Sequence, residues 1–297
     1  MKMKRLGQTA LLTGLLFSAG AFAATAPEIA PQQVNDNLHS RLPDDIKKAG
    51  VLKAVNNGSF PPYEIVNGTH SLEGASADLA KALGEVLGVK IEHASVSGLS
   101  SLLSGIQSGR YQFAMGPIGD FPARQEKNDF VDFVREFVVF AVRAGNPEKI
   151  NTLEDTCGKR IAVMSGGSAE QVIVKQSKAC AESGKPAVAI QSYTDQPTSI
   201  LSVRSGRADA FFSSQAPLTY FVEQTNGQLE LAGTGQHNGF DDLYQGSVFD
   251  KNSPLVPIVQ EAYQLLFDNG TYAAIMKKWH LEGNMLKAPG VNLAGKQ

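Results

Sequence analysis

Two stretches of this chain repeat one local pattern, and the repeat restricts the folds that the chain can adopt. The segments LLSGIQSGRYQFAM (102–115) and SILSVRSGRADAFF (199–212) each combine a helix rich in Leu, Ile and Ser, the tripeptide Ser-Gly-Arg and an apolar strand. Gly109 and Gly206 stand where the end of a helix favours a left-handed residue. Chance is the alternative, because a helix followed by Gly and a strand is common. The shared tripeptide and register favour two similar α/β lobes in tandem.

Apolar runs and helical patterns alternate around both repeated segments. We interpret as strands 51–57, 89–95, 111–116, 137–145, 159–164, 187–193 and 208–214, and as helices 76–87, 99–109, 168–182 and 198–206. This alternation is typical of an α/β fold. Ligands favour domain interfaces and the carboxyl ends of such strands, so we expect a binding cleft between the lobes.

The N-terminus has the three parts of a secretory leader. The basic MKMKR is followed by the apolar LGQTALLTGLLFSAG and by the small residues AFA at 21–23, and the apolar run is short for a membrane span. We predict that residues 1–23 are a cleaved signal peptide, that 24–49 form a tether with a short helix, and that the protein is exported.

The charge balance argues against nucleic acid and anionic membranes as partners. Without Lys2, Lys4 and Arg5 of the leader, the 27 basic residues fall to 24 against 29 acidic ones, a net charge near −5. Nucleic acid and anionic membranes both require clustered positive charge. The five His residues lack metal-site spacing, so we expect no metal and no cofactor.

Cys157 and Cys180 are the two cysteines of the chain. In an oxidising compartment an isolated pair is most simply a disulfide, and closing a loop of this size stabilises a protein by about 3 kcal/mol in the chain-entropy model. Two free thiols or half a metal site is the alternative, but neighbouring His or Cys ligands are missing.

The order and spacing of several segments between residues 42 and 284 are more specific than any one of them. The segments are LPDDIKKAGVLKAV, FPPYEI, LEGASADLAKALGEVLGVKIE, PARQEKNDFVDF, LEDTCGKRIAVMSGGS and FDNGTYAAIMKKWHLEG. Together they resemble the bacterial extracellular solute-binding proteins of family 3, the polar amino-acid type that feeds ABC importers. The resemblance implies a two-lobed periplasmic-binding-protein fold of type II, with two α/β lobes joined by two hinge strands.

The resemblance also implies a domain division and a set of partners. Lobe 1 would comprise residues 50–143 plus 246–297, lobe 2 would comprise 144–245, and the hinges would lie in VVFAVRAG and LYQGSVFD. The protein would be a periplasmic monomer that closes around a small carboxylate ligand, an amino acid or a derivative. It would deliver this ligand to an ABC permease in the inner membrane.

Arg124 is the first candidate binding residue. It follows the strand-like YQFAMG at the expected start of a helix, and its planar paired donors match a carboxylate. In similar proteins the Arg of a T-x-x-R turn binds the ligand α-carboxylate, which the resemblance carries to Arg124. A solvated Arg on a first helical turn is the alternative.

Two further elements of the site are implied by the resemblance. The backbone N–H groups of Gly166, Gly167 and Ser168, between a strand and a helix, would complete the carboxylate site from lobe 2; alternatively, Ser168 is an ordinary helix N-cap. Phe60 aligns with an aromatic residue that packs on the bound side chain, although a plain core or loop aromatic is also compatible with its position.

Four positions bear on how the ligand ammonium would be held. Ser214 and Asn57 stand where the family usually has carboxylates, and Gly119 replaces a Thr whose hydroxyl contacts the ligand. A buried ammonium without an anionic partner is costly. Asp120 is a candidate replacement from a shifted position, with a turn or N-cap role as the alternative.

These residues favour reversible binding without covalent chemistry. The alternative is a periplasmic dehydratase acting on cyclohexadienyl carboxylates such as arogenate or prephenate, which would keep the Arg and add a general acid. We find no Glu or His at an obvious cleft-facing strand end, and no nucleophile elbow or hydrolase triad.

Overall fold

The computed structural model describes residues 29–68 and 71–295 of the 297-residue chain, and the predicted signal peptide lies outside the described residues. The helices are α1 Asp36–Arg41, α2 Asp44–Ala49, α3 Ala75–Leu87, α4 Leu99–Gln107, α5 Pro122–Gln125, α6 Ser168–Glu182, α7 Gln196–Arg204, α8 Gln215–Glu223, α9 Leu255–Asp268 and α10 Thr271–Lys278. The strands are β1 Val51–Asn56, β2 Ser59–Phe60, β3 Glu64–Asn67, β4 Ser71–Glu73, β5 Lys90–Ser95, β6 Phe113–Gly119, β7 Asn128–Glu136, β8 Val138–Arg143, β9 Arg160–Met164, β10 Ala189–Tyr193, β11 Ala210–Ser214, β12 Leu229–Ala232, β13 Leu243–Asp250 and β14 Met285–Val291.

The strands assemble into the predicted two-lobed α/β fold. Lobe 1 contains a six-stranded sheet in the order β14-β7-β13-β6-β1-β5 and a small sheet, β2-β3-β4. Lobe 2 contains a five-stranded sheet in the order β10-β9-β11-β8-β12. The orders β5-β1-β6-β13 and β10-β9-β11-β8 correspond, with three parallel strands followed by one antiparallel strand in each lobe.

The sequence repeat is therefore a structural repeat. Gly109 and Gly206 follow α4 and α7 with φ of +71° and +72°, a left-handed conformation that costs glycine little. Each then leads into the strand, β6 or β11, that pairs with the central antiparallel strand of its lobe. Both strands point their carboxyl ends towards the cleft between the lobes.

The chain changes sheet at positions that differ from the predicted boundaries. β7 lies in the sheet of lobe 1 and β8 in that of lobe 2, with Phe137 between them, whereas residues up to 143 were expected in lobe 1. The return strand β13 begins at Leu243, so the boundary predicted after residue 245 falls inside it. An apolar strand pattern shows that a strand is buried, but does not show in which of two sheets.

The segment predicted as a tether with a short helix contains α1 and α2. Leu38, Leu42 and Ile46 are buried in the core of lobe 1, where α1 packs against α3 and α9. The described part of residues 24–49 therefore belongs to the packed lobe.

The predicted disulfide is confirmed. Cys157 and Cys180 are bonded, which ties the loop before β9 to α6. Across residues 29–68 and 71–295, no helix has the length and apolar character needed to cross a membrane. Over the same residues, no three His, Cys, Asp or Glu side chains form a metal cluster.

Candidate functional site

A pocket lies between the two lobes where β6, β9 and β11 end. It contains about 620 Å³ of space not filled by protein atoms, its open mouth included. Its polar lining comes from both lobes, and the apolar lining is supplied mainly by β6, α4 and the end of β9. The lining residues are Asn57, Phe60, Glu64, Leu99, Leu102, Pro117, Ile118, Gly119, Arg124, Val138, Met164, Gly167, Ser168, Ala169, Gln196, Ser213, Ser214 and Gln245.

Arg124 lies on α5, as predicted, but its side chain is turned inwards. It is 8% exposed, and its guanidinium stacks over the Phe121 ring at 4.2 Å. Nη1 donates to the Gly119 carbonyl at 2.6 Å and Nη2 to the Gly166 carbonyl at 2.7 Å. Burial lowers the Arg124 pKa to about 10, and the charge of Asp120 opposes this shift. The solvated-Arg alternative is therefore wrong.

The Gly-Gly-Ser segment enters the site differently from the prediction. The Gly166 N–H donates to Glu170 Oε2 at 2.7 Å and the Gly167 N–H donates to the Met164 carbonyl at 3.0 Å. Ser168 is the first residue of α6 rather than its N-cap, which is Gly167. The first residues of a helix have N–H groups without helical acceptors, so anion donors on this side begin at Ser168 and Ala169.

Gly119 brings the lobes close together. A Cβ added at Gly119 would lie 3.2 Å from Ser168 Oγ and 3.8 Å from Arg124 Nη1. The absent side chain therefore leaves room at this position for both the Ser168 hydroxyl and the guanidinium.

Buried amides and hydroxyls from both lobes line one wall of the pocket. Ser214, at the end of β11, is 6% exposed, and its Oγ accepts from Gln245 Nε2 at 3.2 Å. Ser213 Oγ donates to Gln196 Oε1 at 3.2 Å. Gln245 Oε1 and Gln196 Nε2 are buried without a hydrogen-bond partner among the described residues. The sequence motifs did not identify either glutamine, because both sit at strand or helix ends that carry no recognisable motif.

Phe60, on β2, and Asn57, between β1 and β2, line the pocket from lobe 1. Phe60 is half-buried and stacks on Tyr63, with ring centroids 5.8 Å apart. It also packs against the core of lobe 1. The contact of Phe60 with a bound side chain remains a prediction.

Glu64 also lines the pocket, and the expectation of no cleft-facing Glu at a strand end is wrong. Glu64 begins β3 and pairs directly with Phe60 on β2, and directly paired residues of antiparallel strands share a face. The signal was present in FPPYEI, where two prolines between Phe60 and Glu64 indicate a turn. Because the Pro-Pro turn brings both residues to one face, Glu64 follows Phe60 into the pocket.

The Glu64 carboxyl is buried, lacks a hydrogen-bond partner at one oxygen and has a raised pKa. The side chain is 4% exposed, and Oε1 has no hydrogen-bond partner among the described residues. Burial raises the Glu64 pKa to about 8, opposed by a hydrogen bond from the Asn57 N–H.

Asp120 does not line the pocket. Its Oδ1 accepts from Gln125 Nε2 at 2.7 Å and its Oδ2 accepts from the Ala294 N–H at 3.0 Å. Both oxygens are used to tie α5 and the C-terminal segment to β6. The placement therefore favours the turn role over ligand contact.

The pocket contains one basic and one acidic side chain among its described lining residues. Among the described residues that line it, Arg124 is the only basic side chain and Glu64 the only acidic one. The remaining polar atoms are amides, hydroxyls and backbone groups. Such a site can hold a carboxylate at Arg124 and a second polar or cationic group elsewhere.

Several known proteins are similar to this chain in sequence and in architecture. The family model of the bacterial extracellular solute-binding proteins, family 3, matches residues 52–282. An arginine-binding protein of Corynebacterium glutamicum is 28% identical, over 89% of this chain and 85% of that protein. An L-cystine-binding protein of Escherichia coli K12 is 25% identical, over 94% of this chain and 97% of that protein. The structure of an ancestral arginine-binding protein bound to arginine is 27% identical, with a TM-score of 0.68 over 77% of this chain and 98% of that one.

Proposed function

The chain belongs to the bacterial extracellular solute-binding proteins, family 3, and from that premise we propose that it is the periplasmic substrate-binding subunit of an amino-acid ABC importer. It captures an amino acid or a related small carboxylate between its lobes. The subunit acts as a monomer and passes the ligand to a permease in the inner membrane.

The buried guanidinium of Arg124 in the pocket between the lobes is the observation that carries this proposal. Its two terminal nitrogens donate to carbonyl oxygens of Gly119 and Gly166, which carry no net charge. A ligand carboxylate offers both oxygens to the same planar fork, and its full negative charge adds an ion-pair attraction that the neutral carbonyls lack. The N-terminus of α6 adds N–H donors at Ser168 and Ala169.

The amino-acid class of the ligand is supported by the relatives. Two relatives that match over most of their length are named as arginine-binding and L-cystine-binding proteins. Both names describe binding and neither describes a reaction, which supports capture without covalent chemistry. Binding energy alone then drives closure of the lobes on the ligand.

The test is a thermal-shift panel of L-α-amino acids on the mature protein. A ligand at a hundred times its Kd stabilises the native state by about 2.7 kcal/mol, a readily measured rise in Tm. We expect at least one amino acid to raise the Tm of the wild type and of Arg110→Lys, which changes an exposed Arg. Arg124→Ala should abolish the rise. Failure of every amino acid would overturn the proposal.

A test for enzymatic activity is also needed, because Glu64 is a buried carboxyl with a raised pKa and such a group can serve as a general acid. Purified protein should leave prephenate and arogenate unchanged during prolonged incubation. Turnover that Glu64→Gln removes would instead establish the dehydratase alternative.

A further inference from the structure

We propose that Glu136 is a proton-controlled latch between the two lobes, which holds them closed on the ligand when its carboxyl is ionised and releases them when it is protonated. This inference rests on the proposed function, because it concerns how tightly the same pocket binds. It assigns a role to a buried carboxyl that does not itself line the pocket.

Glu136 lies where the chain passes from one lobe to the other. It is the last residue of β7, immediately before Phe137, and it is 2% exposed. At the same crossing the Gln215 N–H of lobe 2 donates to the Phe137 carbonyl at 2.7 Å. Lobes that are joined by such strands rotate about the crossing, so a change in the bonding of this carboxyl acts on the angle between them.

Four donors from the described residues surround the Glu136 carboxyl. Tyr63 Oη donates to Oε1 at 2.6 Å, and Asn284 Nδ2 donates to the same oxygen at 3.0 Å. The Ala216 N–H donates to Oε2 at 3.5 Å, and the Phe137 N–H also bonds the carboxyl. Tyr63 and Asn284 belong to lobe 1, whereas Ala216 is the second residue of α8 in lobe 2. The bond from Ala216 therefore crosses between the lobes.

The strength of this crossing bond depends on the charge of the carboxyl. An ionised carboxylate accepts from several donors at once, whereas a protonated carboxyl carries a hydrogen that itself needs an acceptor. The three N–H donors cannot accept, so the proton either turns to the Tyr63 hydroxyl or displaces one N–H group. In both cases the attraction between a negative charge and the N-terminus of α8 is lost. Protonation therefore weakens the contact with lobe 2.

The lobes are closed in this structure. Arg124 of lobe 1 bonds the Gly166 carbonyl of lobe 2 on the pocket side, while Glu136 bonds Ala216 at the crossing. Opening moves α8 away from the end of β7, so it takes from Glu136 a donor that favours the ionised form. The open arrangement therefore binds a proton more readily than the closed one.

Burial and its own hydrogen bonds set the charge of Glu136. Among the described residues, Tyr63 is the titratable group that bonds the carboxyl. Arg135, its neighbour on β7, is exposed and pairs with Asp242 at 3.0 Å. The other titratable groups on the adjoining elements are exposed charges or phenols, which are uncharged near neutral pH: Glu223 and Tyr220 on α8, Tyr244 on β13, Tyr272 on α10, Glu282 in the turn before β14, and Lys287 on β14.

The carboxyl changes its charge close to neutral pH. Burial raises the Glu136 pKa to about 7, and the hydrogen bonds from Tyr63, Ala216 and Phe137 oppose this shift. Because the open arrangement takes up the proton more readily, protons favour opening and compete with the ligand. Affinity for the ligand should fall as the pH decreases from 8 to 6, and binding near pH 7 should release a proton.

The experiment combines calorimetry with small-angle X-ray scattering at pH 8, 7 and 6. L-Arginine and L-glutamine are the ligand probes. The proteins are the wild type, Glu136→Gln, Tyr63→Phe and the control Glu282→Gln, which changes an exposed Glu beside the same crossing. Urea unfolding at each pH establishes that every variant is folded.

Between pH 8 and pH 6 we expect the Kd of the wild type to rise by about twofold to tenfold more than that of Glu136→Gln, the range expected for a carboxylate at a helix N-terminus. Glu64 and the ligand titrate alike in both proteins, so the comparison isolates Glu136. Glu282→Gln should follow the wild type. Without ligand, the radius of gyration should increase on acidification in the wild type and stay constant in Glu136→Gln.

Tyr63→Phe tests the latch without removing the carboxyl. The variant deletes one donor to Glu136 and keeps the ring that stacks on Phe60, so the Glu136 pKa should rise. With the pH series extended to 9, the fall in affinity and the opening should occur at higher pH than in the wild type. This variant decides the question if Glu136→Gln does not fold, and an unchanged midpoint would contradict the latch.

Two further results would overturn the inference and leave the proposed function standing. One is a parallel dependence of Kd on pH in the wild type and in Glu136→Gln. The other is a radius of gyration of the ligand-free wild type that does not change with pH. If neither probe binds the wild type, scattering still tests the latch, while the panel of amino acids tests the proposed function separately.

Discussion

Arg124 of lobe 1 meets Gly166 of lobe 2 across the cleft, with Nη2 2.7 Å from the Gly166 carbonyl oxygen. The other terminal nitrogen bonds Gly119 of lobe 1, so one guanidinium joins backbone from both lobes. A carboxylate that enters the pocket would compete with these carbonyls for the same N–H groups. The proposed ligand contact and one of the contacts between the lobes thus involve the same side chain.

Arg124→Lys should weaken ligand binding even though it preserves the charge. An ammonium is a point charge without the planar fork, and it cannot make the bidentate contact. We expect affinity for the amino acid found in the panel to fall by about tenfold to a hundredfold, since a lost charged hydrogen bond contributes roughly 1.5–3 kcal/mol. Calorimetry measures this, with Arg110→Lys as the control. Equal affinity in Arg124→Lys and the wild type would contradict the carboxylate contact.

Ser214→Asp should destabilise the protein and increase its preference for amine-bearing ligands. Ser214 is 6% exposed and lines the pocket, so a carboxylate there loses hydration, at a cost on the order of several kcal/mol. We expect a lower Tm than that of Ser214→Asn, a control that differs only in charge.

An amino acid should restore more stability to Ser214→Asp than to Ser214→Asn, because its cation compensates the added charge. The readout is the difference between their thermal shifts with an amino acid and with its deaminated analogue. Identical shifts in the two variants would show that the ligand cation lies away from this wall.

Glu136→Gln should gain stability relative to the wild type as the pH rises from 4.5 to 7. Glu136 ends β7 beside the crossing between the lobes, and Oε1 accepts from Tyr63 Oη at 2.6 Å. Burial raises its pKa from 4.5 to about 7 in the folded protein. Between pH 4.5 and 7 the native wild type binds more protons than its unfolded state. Its free energy of unfolding therefore falls as the pH rises through this range.

The pKa difference corresponds to about 3 kcal/mol between pH 4.5 and pH 7. The glutamine side chain does not titrate, so the free energy of unfolding of the variant does not fall over this pH range for this reason. The measurement is the free energy of unfolding of both proteins in urea at several pH values. A difference between them that stays constant with pH would contradict the prediction, whatever its size.

Removal of the disulfide should lower stability without affecting binding. The Cys157→Ala/Cys180→Ala double variant loses a crosslink between positions separated by 23 residues, which contributes about 3 kcal/mol. Cys180 lies about 18 Å along α6 from Ser168, given the rise of a helix, so the pocket should be unchanged. Urea unfolding measures the first effect and calorimetry the second. Dithiothreitol should destabilise the wild type and leave the double variant unaffected.

Local patterns in the sequence anticipated much of the fold. Gly109 and Gly206 marked the ends of two equivalent helices because a left-handed C-terminal residue is a local requirement. The helix over 168–182 was predicted with its observed bounds. The change of sheet at Phe137 was not predicted. It depends on which partner strand is available, and both candidate sheets bury apolar side chains.

In the pocket, the sequence predicted the charge and the donor groups of Arg124, but it did not predict which residues surround the guanidinium. The sequence left Asp120 open between a compensating carboxylate and a turn residue, and the fold directs both Asp120 oxygens to Gln125 and Ala294. Glu64 occupies the pocket instead, because the hairpin pairs it with Phe60.

By itself, the sequence determined the α/β lobes, the disulfide pair and the choice of Arg124 as a candidate binding residue, because helix ends, strand patterns and residue chemistry act over a few neighbouring positions. Only the tertiary structure decided which polar groups share the pocket. Glu64, Gln196 and Gln245 come from three distant parts of the chain. Their placement depends on how the two lobes pack, and the raised pKa of Glu64 depends on burial. Both are properties of the assembled fold that no short stretch of sequence contains.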